Sequence, residues 1–241
     1  MSPNPARPAP ARPAPARRSP AGPSPAGPNP ASPGAPEPGL RTLKKQRTRQ
    51  TIAETAIALF LDRGFDQVSV AEIAAAAEVS KPTLFRYFAS KEELVLHRFA
   101  DHLGEAGRVV AGRAAGVTPL DALERHHLER LEARDPSTGL TDQPESLAFL
   151  RLVYETPSLS AHLMDYIDAD TRALAEALDP DRGVTARLVA AQYMAVRQEL
   201  AHSVWTRLAA GQDTDAAARQ AAAETATAFS LLRNGAAPHG F

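Results

Sequence analysis

The chain is predicted to be all-α. Apolar residues recur at helical spacing from Ile52 to Phe60 and again from Thr118 onward. No period-two run bounded by turn residues occurs anywhere, which removes the usual signal for strands. Helix-start signals are frequent. Ser69 with Glu72 and Ser90 with Glu93 have capping-box spacing, and Pro82, Pro119, Pro144 and Pro157 stand where a first helical turn tolerates a missing N–H.

The 241 residues suffice for one or two domains with a sizeable core. There is no cysteine, which excludes disulfides, thiolate chemistry and cysteine-based zinc sites. No apolar run approaches the roughly 18 residues of a membrane span, and the arginines near the N-terminus precede no apolar stretch of signal-peptide type. A soluble cytoplasmic protein is expected. The net charge of −1 hides an asymmetry: residues 1–50 carry nine Lys/Arg against one acid. Residues 1–39, rich in Pro, Ala, Gly and Ser, are expected to be a disordered tail of polyproline-II character. Arg7, Arg12, Arg17 and Arg18 there would add weak, salt-sensitive attraction to phosphates.

The first helix is expected from Leu40 to about Asp62, with Ile52, Ala56, Leu59 and Phe60 on one face and Gly64 as its C′ residue. Arg41, Lys44, Lys45, Arg47 and Arg49 load its N-terminal half, where cations oppose the helix dipole, so the placement calls for another benefit such as nearby phosphates. Ser69 then opens a short helix running to Ala77, the chain turns at Glu78-Val79, and Ser80 caps a second short helix, Thr83 to Phe88. This is a helix-turn-helix layout, in which the second helix enters a DNA major groove. Ile73, Val79, Leu84 and Phe88 have core spacing. Lys81, Pro82, Thr83, Phe85, Arg86 and Tyr87 lie on the other face. Arg86 and Lys81 suit guanine edges, Thr83 a base or a phosphate, and Tyr87 a phosphate oxygen. Ser69, Lys45 and Arg49 complete the candidate DNA contacts from these two regions. A further helix is expected from Ser90 to about Arg113, with Gly104, Gly107 and Gly112 each lowering its propensity by roughly 1 kcal/mol relative to Ala.

Arg63-Gly64-Phe65, Ser69-Val70, Ile73-Ala74, Val79-Ser80, Thr83 to Phe88 and Lys91 to Leu94 resemble the N-terminal domain of the TetR family of bacterial transcriptional regulators. The resemblance covers roughly residues 45–100. It implies that the face of Lys81, Pro82, Thr83, Phe85, Arg86 and Tyr87 meets bases and phosphates and that Lys91 holds a backbone phosphate. It implies an apolar contact for Phe85, where many members have Tyr. Glu78 stands where the family's turn often carries Gly, the easy residue at positive φ.

Beyond Thr118 the expected helices are Thr118 to about Arg134, one opened by Pro144, one opened by Pro157, Val184 to Ala210, and Thr214 to Arg233, followed by a flexible tail at 236–241. The domain boundaries are therefore a tail (1–39), a helix-turn-helix DNA-binding domain (40–100) and a helical ligand-binding and dimerisation domain (101–235). The last two helices carry apolar residues over much of their circumference, as a packed monomer core would also show. The resemblance implies a four-helix contact between two subunits, with Val196, Leu200, Val204, Phe229 and Leu232 as candidates. It also implies a ligand pocket among the middle helices, mainly apolar with a few polar groups. Candidates are Phe149, Tyr154, Met164, Tyr166, Tyr193, Arg197 and Trp205, side chains that would serve equally as core. The stretch RLVYETPSLSAHLMDYIDADTRALAEAL loosely resembles family members with acyl-CoA-like ligands.

No G-x-S-x-G, Walker loop, dinucleotide fingerprint or H-E-x-x-H occurs, so no enzyme reading and no cofactor is supported. His126-His127 and the His162/Asp165 pair at i, i+3 are the suggestive metal pairings, and both read more readily as ordinary polar pairs. The expected function is a homodimeric, DNA-binding repressor released from a pseudo-palindromic operator by a small apolar or amphipathic effector. The alternative is a DNA-bound regulator whose C-terminal domain docks a protein, which would leave a filled core without a cavity.

Overall fold

The computed structural model describes Met1 and residues 40–235, apart from 101, 180 and 182. The tails expected at 1–39 and 236–241, including the four tail arginines, otherwise lie outside the described residues. Helix α1 spans Leu40–Arg63, α2 Val70–Ala76, α3 Lys81–Tyr87, α4 Glu93–Ala100 and α5 Glu105–Ala111. They are followed by α6 (Pro119–Glu132), a 3-10 turn (Pro136–Thr138), α7 (Pro144–Glu155), α8 (Pro157–Leu178), α9 (Val184–Ala209) and α10 (Thr214–Asn234). The all-α expectation holds: the described residues contain no strand.

Local chemistry explains the short helices. At α2 both halves of the capping box form: Ser69 Oγ accepts from the Glu72 N–H, and the Glu72 carboxylate accepts from the Ser69 N–H at 2.8 Å. The Glu72 carboxyl is held down at about pKa 2, first by that backbone bond, then by the Ser69 hydroxyl and Arg63. Ser80 caps α3 by accepting from the Thr83 N–H at 3.2 Å. The second expected box is only half made. Ser90 Oγ accepts from the Glu93 N–H, but the Glu93 carboxylate turns to the Ala89 N–H at 2.6 Å and to Arg49 at 3.5 Å.

Between α2 and α3 the Val79 N–H donates to Ala74 O and the Glu78 N–H to Ala75 O, the paired bonds of a Schellman turn. Glu78 occupies the left-handed position at φ +54°. The turn therefore keeps the geometry that glycine usually serves, and a glutamate carries the backbone strain.

The helix expected from Ser90 to Arg113 is instead two helices, α4 and α5. Gly104 takes φ +71° at the junction, and its N–H is caught by Asp170 Oδ1 of α8 at 2.5 Å. A helix cannot continue through a left-handed residue. A buried carboxylate from a distant helix, invisible to local periodicity, sets the break.

One apolar core runs from the N-terminal helices into the C-terminal ones. It joins Ile52, Phe60, Ile73, Leu84 and Phe88 through Leu94, Val95 and Leu96 of α4 to Phe149, Val153, Leu159 and Leu163. Burying each of these larger side chains contributes about 2–3 kcal/mol. A second cluster gathers Val110, Leu123, Leu174, Tyr193, Met194 and Phe229, and a third Leu131, Leu140, Val204, Leu208, Ala217 and Ala221.

These clusters correct the subunit-contact assignment. Leu200, Val204 and Phe229 are buried within the single chain, so they have little surface left to lose to a second one. Val196 and Leu232 are half-buried, Leu232 against the second cluster. The open stripe of α9 is Val184, Leu188, Ala191 and Ala195 instead, with Leu188 56% exposed. On α10 the open face is small: Ala222, Ala223, Ala226 and Thr227.

The 3-10 turn sits directly on α9, where a Cβ at Gly139 would lie 2.1 Å from Ala201 O. Gly139→Ala is expected to destabilise the protein by about 3 kcal/mol, from positive φ and overlap together. Glu78→Gly is expected to stabilise it by about 1 kcal/mol through relief of the left-handed strain. Urea denaturation followed by circular dichroism measures both. A Glu78→Gly midpoint at or below wild type would contradict the strain assignment.

Candidate nucleic-acid interface and interior cavity

The capped turn presents α3 with one face sunk and one face open. Leu84 and Phe88 have no exposed surface, while Lys81, Pro82, Phe85 and Arg86 are exposed and Thr83 and Tyr87 half-buried. Phe85 leaves 45% of itself in solvent. Lys81 Nζ stands 6.0 Å from the Phe85 ring and the Arg86 guanidinium 5.6 Å from the Tyr87 ring, so each cation rides on an aromatic neighbour. Among the described residues neither cation has an ion-pair partner, and both are available to an incoming anion. Thr83 Oγ1 accepts from the Ser80 hydroxyl at 2.8 Å.

The remaining predicted contacts divide. Lys45 is exposed on α1. The Ser69 hydroxyl is committed to its cap. Arg49 lies over the Phe88 ring at 5.0 Å and pairs with Glu93, tying α1 to the end of α3. Lys91 points inward: its ammonium donates to Phe65 O and sits 4.3 Å from the Phe65 ring and 5.4 Å from the Phe60 ring. In this conformation Lys91 braces the head from within, and Arg49 braces it while its side chain stays partly exposed. The exposed side chains of α1 near the turn are Leu43, Lys44, Arg47 and Thr51, which border an open groove with Glu78 and Val79.

Among the C-terminal helices lies a cavity of about 410 Å³, open on one side. Its apolar wall is Phe99, Leu103, Tyr154, Leu163, Tyr166 and Ile167. Its polar wall is His102, Glu105, Asp170, Arg197, Gln198, Glu199 and His202. Of the seven predicted ligand residues, Tyr154, Tyr166 and Arg197 line it. Phe149 instead stacks on Phe99 at 6.1 Å within the core. Trp205 backs the wall, 5.0 Å from Tyr154 and 5.4 Å from His202. Tyr193 is buried and borders a separate small pocket, and Met164 is exposed outside the cavity. Sequence reasoning missed the carboxylates and imidazoles because they come from the α4–α5 junction, α5, α8 and α9, which only the fold brings together.

The polar wall is tightly cross-linked. Asp170, 4% exposed, accepts from Gly104 N–H and from Arg197 Nη2 at 3.1 Å. Glu105 meets His102 at 3.2 Å, His126 at 3.3 Å and Arg130, which also pairs with Asp135 at 2.7 Å. Its carboxyl is held well below the usual carboxylate range, first by His102 and then by His126. Behind it His127 is buried, and burial first, then Arg197, pushes its pKa down to about 4. His126 and His127 thus belong to this network, while His162 is exposed and bonds Ser158 O. Among the described residues no group of three or more His, Asp or Glu is arranged to hold a metal ion.

Residues 52–97 match the family described as "Bacterial regulatory proteins, tetR family". The chain is 33% identical over 196 residues to the HTH-type transcriptional regulator TcmR of Streptomyces glaucescens, covering 78% of this chain and 84% of that protein. The chain belongs to the TetR family. It is a DNA-binding transcriptional regulator. A shorter match, 31% over 108 residues, reaches the HTH-type transcriptional repressor KstR2 of Mycobacterium tuberculosis, covering 40% of this chain and 54% of that one. The fold is shared with a TetR-family regulator from Streptomyces coelicolor at a TM-score of 0.52 and 22% identity, over 83% of this chain and 100% of that one. Among the described residues no helix is long and apolar enough to cross a membrane.

His127 gives a pH signature. Its folded pKa lies below its ordinary 6.5, so its neutral form stabilises the fold above about pH 6.5. That contribution is lost as pH falls from 6.5 toward 4, because the unfolded chain binds the proton first. His127→Leu is expected to flatten the melting-temperature profile across that window, as measured by thermal melts at stepped pH. An unchanged slope would show that other groups carry the dependence.

Proposed function

We propose that this TetR-family regulator is a cytoplasmic repressor that binds a pseudo-palindromic operator as a homodimer and is released by a small molecule held in the 410 Å³ cavity. The exposed cation-aromatic face of α3, carried on a core continuous with the cavity wall, is the observation that supports it most. Two α3 helices would enter successive major grooves, Lys81 and Arg86 meeting base edges or phosphates and Phe85 a thymine methyl. Lys45 adds backbone attraction, and Thr83 and Tyr87 have hydroxyls within the same face.

The open stripe of Val184, Leu188, Ala191 and Ala195 on α9, beside the alanine face of α10, supports a helix-on-helix subunit contact in place of the buried residues first assigned to it. Small residues on α10 allow close approach of a second helix pair.

Release follows from what α4 touches. Leu94, Val95 and Leu96 pack in the core of the head, and Phe99 at the other end of α4 lines the cavity. Just beyond, Gly104 is tied to Asp170 in the cavity wall. A ligand that repositions this wall shifts the heads, provided it binds the released state more tightly; a full switch needs a preference of roughly 10⁴-fold. The open cavity favours this reading over one in which the C-terminal domain docks a protein against a filled core.

The Lys81→Ala/Arg86→Ala double variant is expected to lose at least tenfold in affinity for the promoter region of the protein's own gene, with a shallower salt dependence in a titrated mobility-shift assay. Wild-type affinity in the double variant would remove these residues from the interface. Leu188→Glu is expected to shift the protein from dimer to monomer in analytical ultracentrifugation at micromolar concentration, and an unshifted dimer would move the subunit contact off this stripe.

A further inference from the structure

The buried charges of the cavity wall are already matched among themselves. Asp170 has one oxygen on the Gly104 N–H and the other on Arg197. Glu105 is surrounded by His102, His126 and Arg130. Glu199 stands at the exposed rim. An anion entering this space meets three carboxylates against one cavity-lining guanidinium. A cation meets Asp170 and Glu105, whose oxygens are already bonded, with Arg197 facing it, and only the exposed Glu199 of the rim has no partner among the described residues. Against the buried part of the wall either charge would be desolvated without a dedicated partner, which is strongly unfavourable. What the wall does offer is the rest of the Arg197 guanidinium. Among the described residues it makes one hydrogen bond, through Nη2, leaving further N–H groups on a side chain that lines the cavity. Leu163, Ile167, Phe99 and Tyr154 form the apolar side opposite.

We infer that the effector is an uncharged, mainly apolar molecule whose carbonyl or hydroxyl oxygen accepts from Arg197. Acyl-CoA thioesters and free carboxylic acids are disfavoured, against the looser sequence resemblance. The inference rests on the cavity being the effector site. Because Arg197 also holds Asp170, and Asp170 holds Gly104 at the α4–α5 break, the contact that recognises the ligand is two hydrogen bonds away from the joint it must move.

Trp205 is the sole tryptophan of the chain and backs Tyr154 and His202, so its emission reports cavity occupancy. The test titrates the full-length protein with four probes: 2-undecanone, decanoate, decylammonium and decanoyl-CoA. Trp205 fluorescence and calorimetry are the two readouts. The ketone is expected to bind at least tenfold more tightly than each charged probe. A charged probe that equals or exceeds the ketone overturns the inference while leaving the cavity as a ligand site. Failure of all four to bind overturns the cavity reading itself. The Arg197→Met/Asp170→Asn double variant removes the donors without stranding a buried charge and keeps an acceptor for Gly104. Once circular dichroism shows it folded, it is expected to weaken the ketone by roughly fivefold, the value of one hydrogen bond. Unchanged ketone affinity there would remove Arg197 as the polar contact. If that double variant does not fold, the Glu199→Gln rim variant decides: it should narrow the ketone's advantage over decanoate, and an unchanged ratio counts against the charge argument.

Discussion

Leu94, Val95 and Leu96 are almost completely buried, and the rest of the protein depends on that burial. Through them α4 belongs to the core of the DNA-binding head, and the same core continues to Phe149, Val153 and Leu163 beside the cavity. Close-packed interiors transmit displacement because they have few voids into which it can dissipate. A regulator of this design needs no long mechanical linkage. The helix that packs on α1 in the head also ends at the cavity wall.

The second constraint is electrostatic. A carboxylate as enclosed as Asp170 is tolerated only with its oxygens bonded, and the two groups that bond it come from different elements. Gly104 supplies a backbone N–H freed by a left-handed break, and Arg197 reaches across from α9. The break in the helix, the buried charge and the cavity-lining guanidinium are thus one arrangement. Removing any member leaves another unsatisfied, and this links the geometry of the junction to the chemistry of the cavity.

The head was legible in the sequence because its signals are local. Ser69 with Glu72 and Ser80 with Pro82 each fix a helix start within four residues, and the apolar positions Ile73, Leu84 and Phe88 follow helical spacing. Even there, side-chain direction escapes the sequence: the Arg49 and Lys91 cations both lie over aromatic rings of the core, and Arg49 also stays partly exposed. Periodicity says which face a residue is on, but a long flexible cation chooses among partners that sequence does not place. The C-terminal helices were legible as helices, while their inward and outward faces were not. Leu200, Val204 and Phe229 looked like interface residues because a helix packed on several sides shows apolar residues all round, whether the neighbour is the same chain or another.

What the sequence by itself determined was the all-α class, the capped helix-turn-helix and its exposed cation-aromatic face, since these follow from interactions between residues a few positions apart. What only the tertiary structure decided was the α4–α5 break, the polar wall of the cavity and the open stripe of α9. Each depends on contacts between distant segments: Gly104 with Asp170, Glu105 with Arg130, and the packing of α9 against α8 and α10. Such contacts leave no periodic trace in the chain, because nothing local constrains which residue will stand opposite.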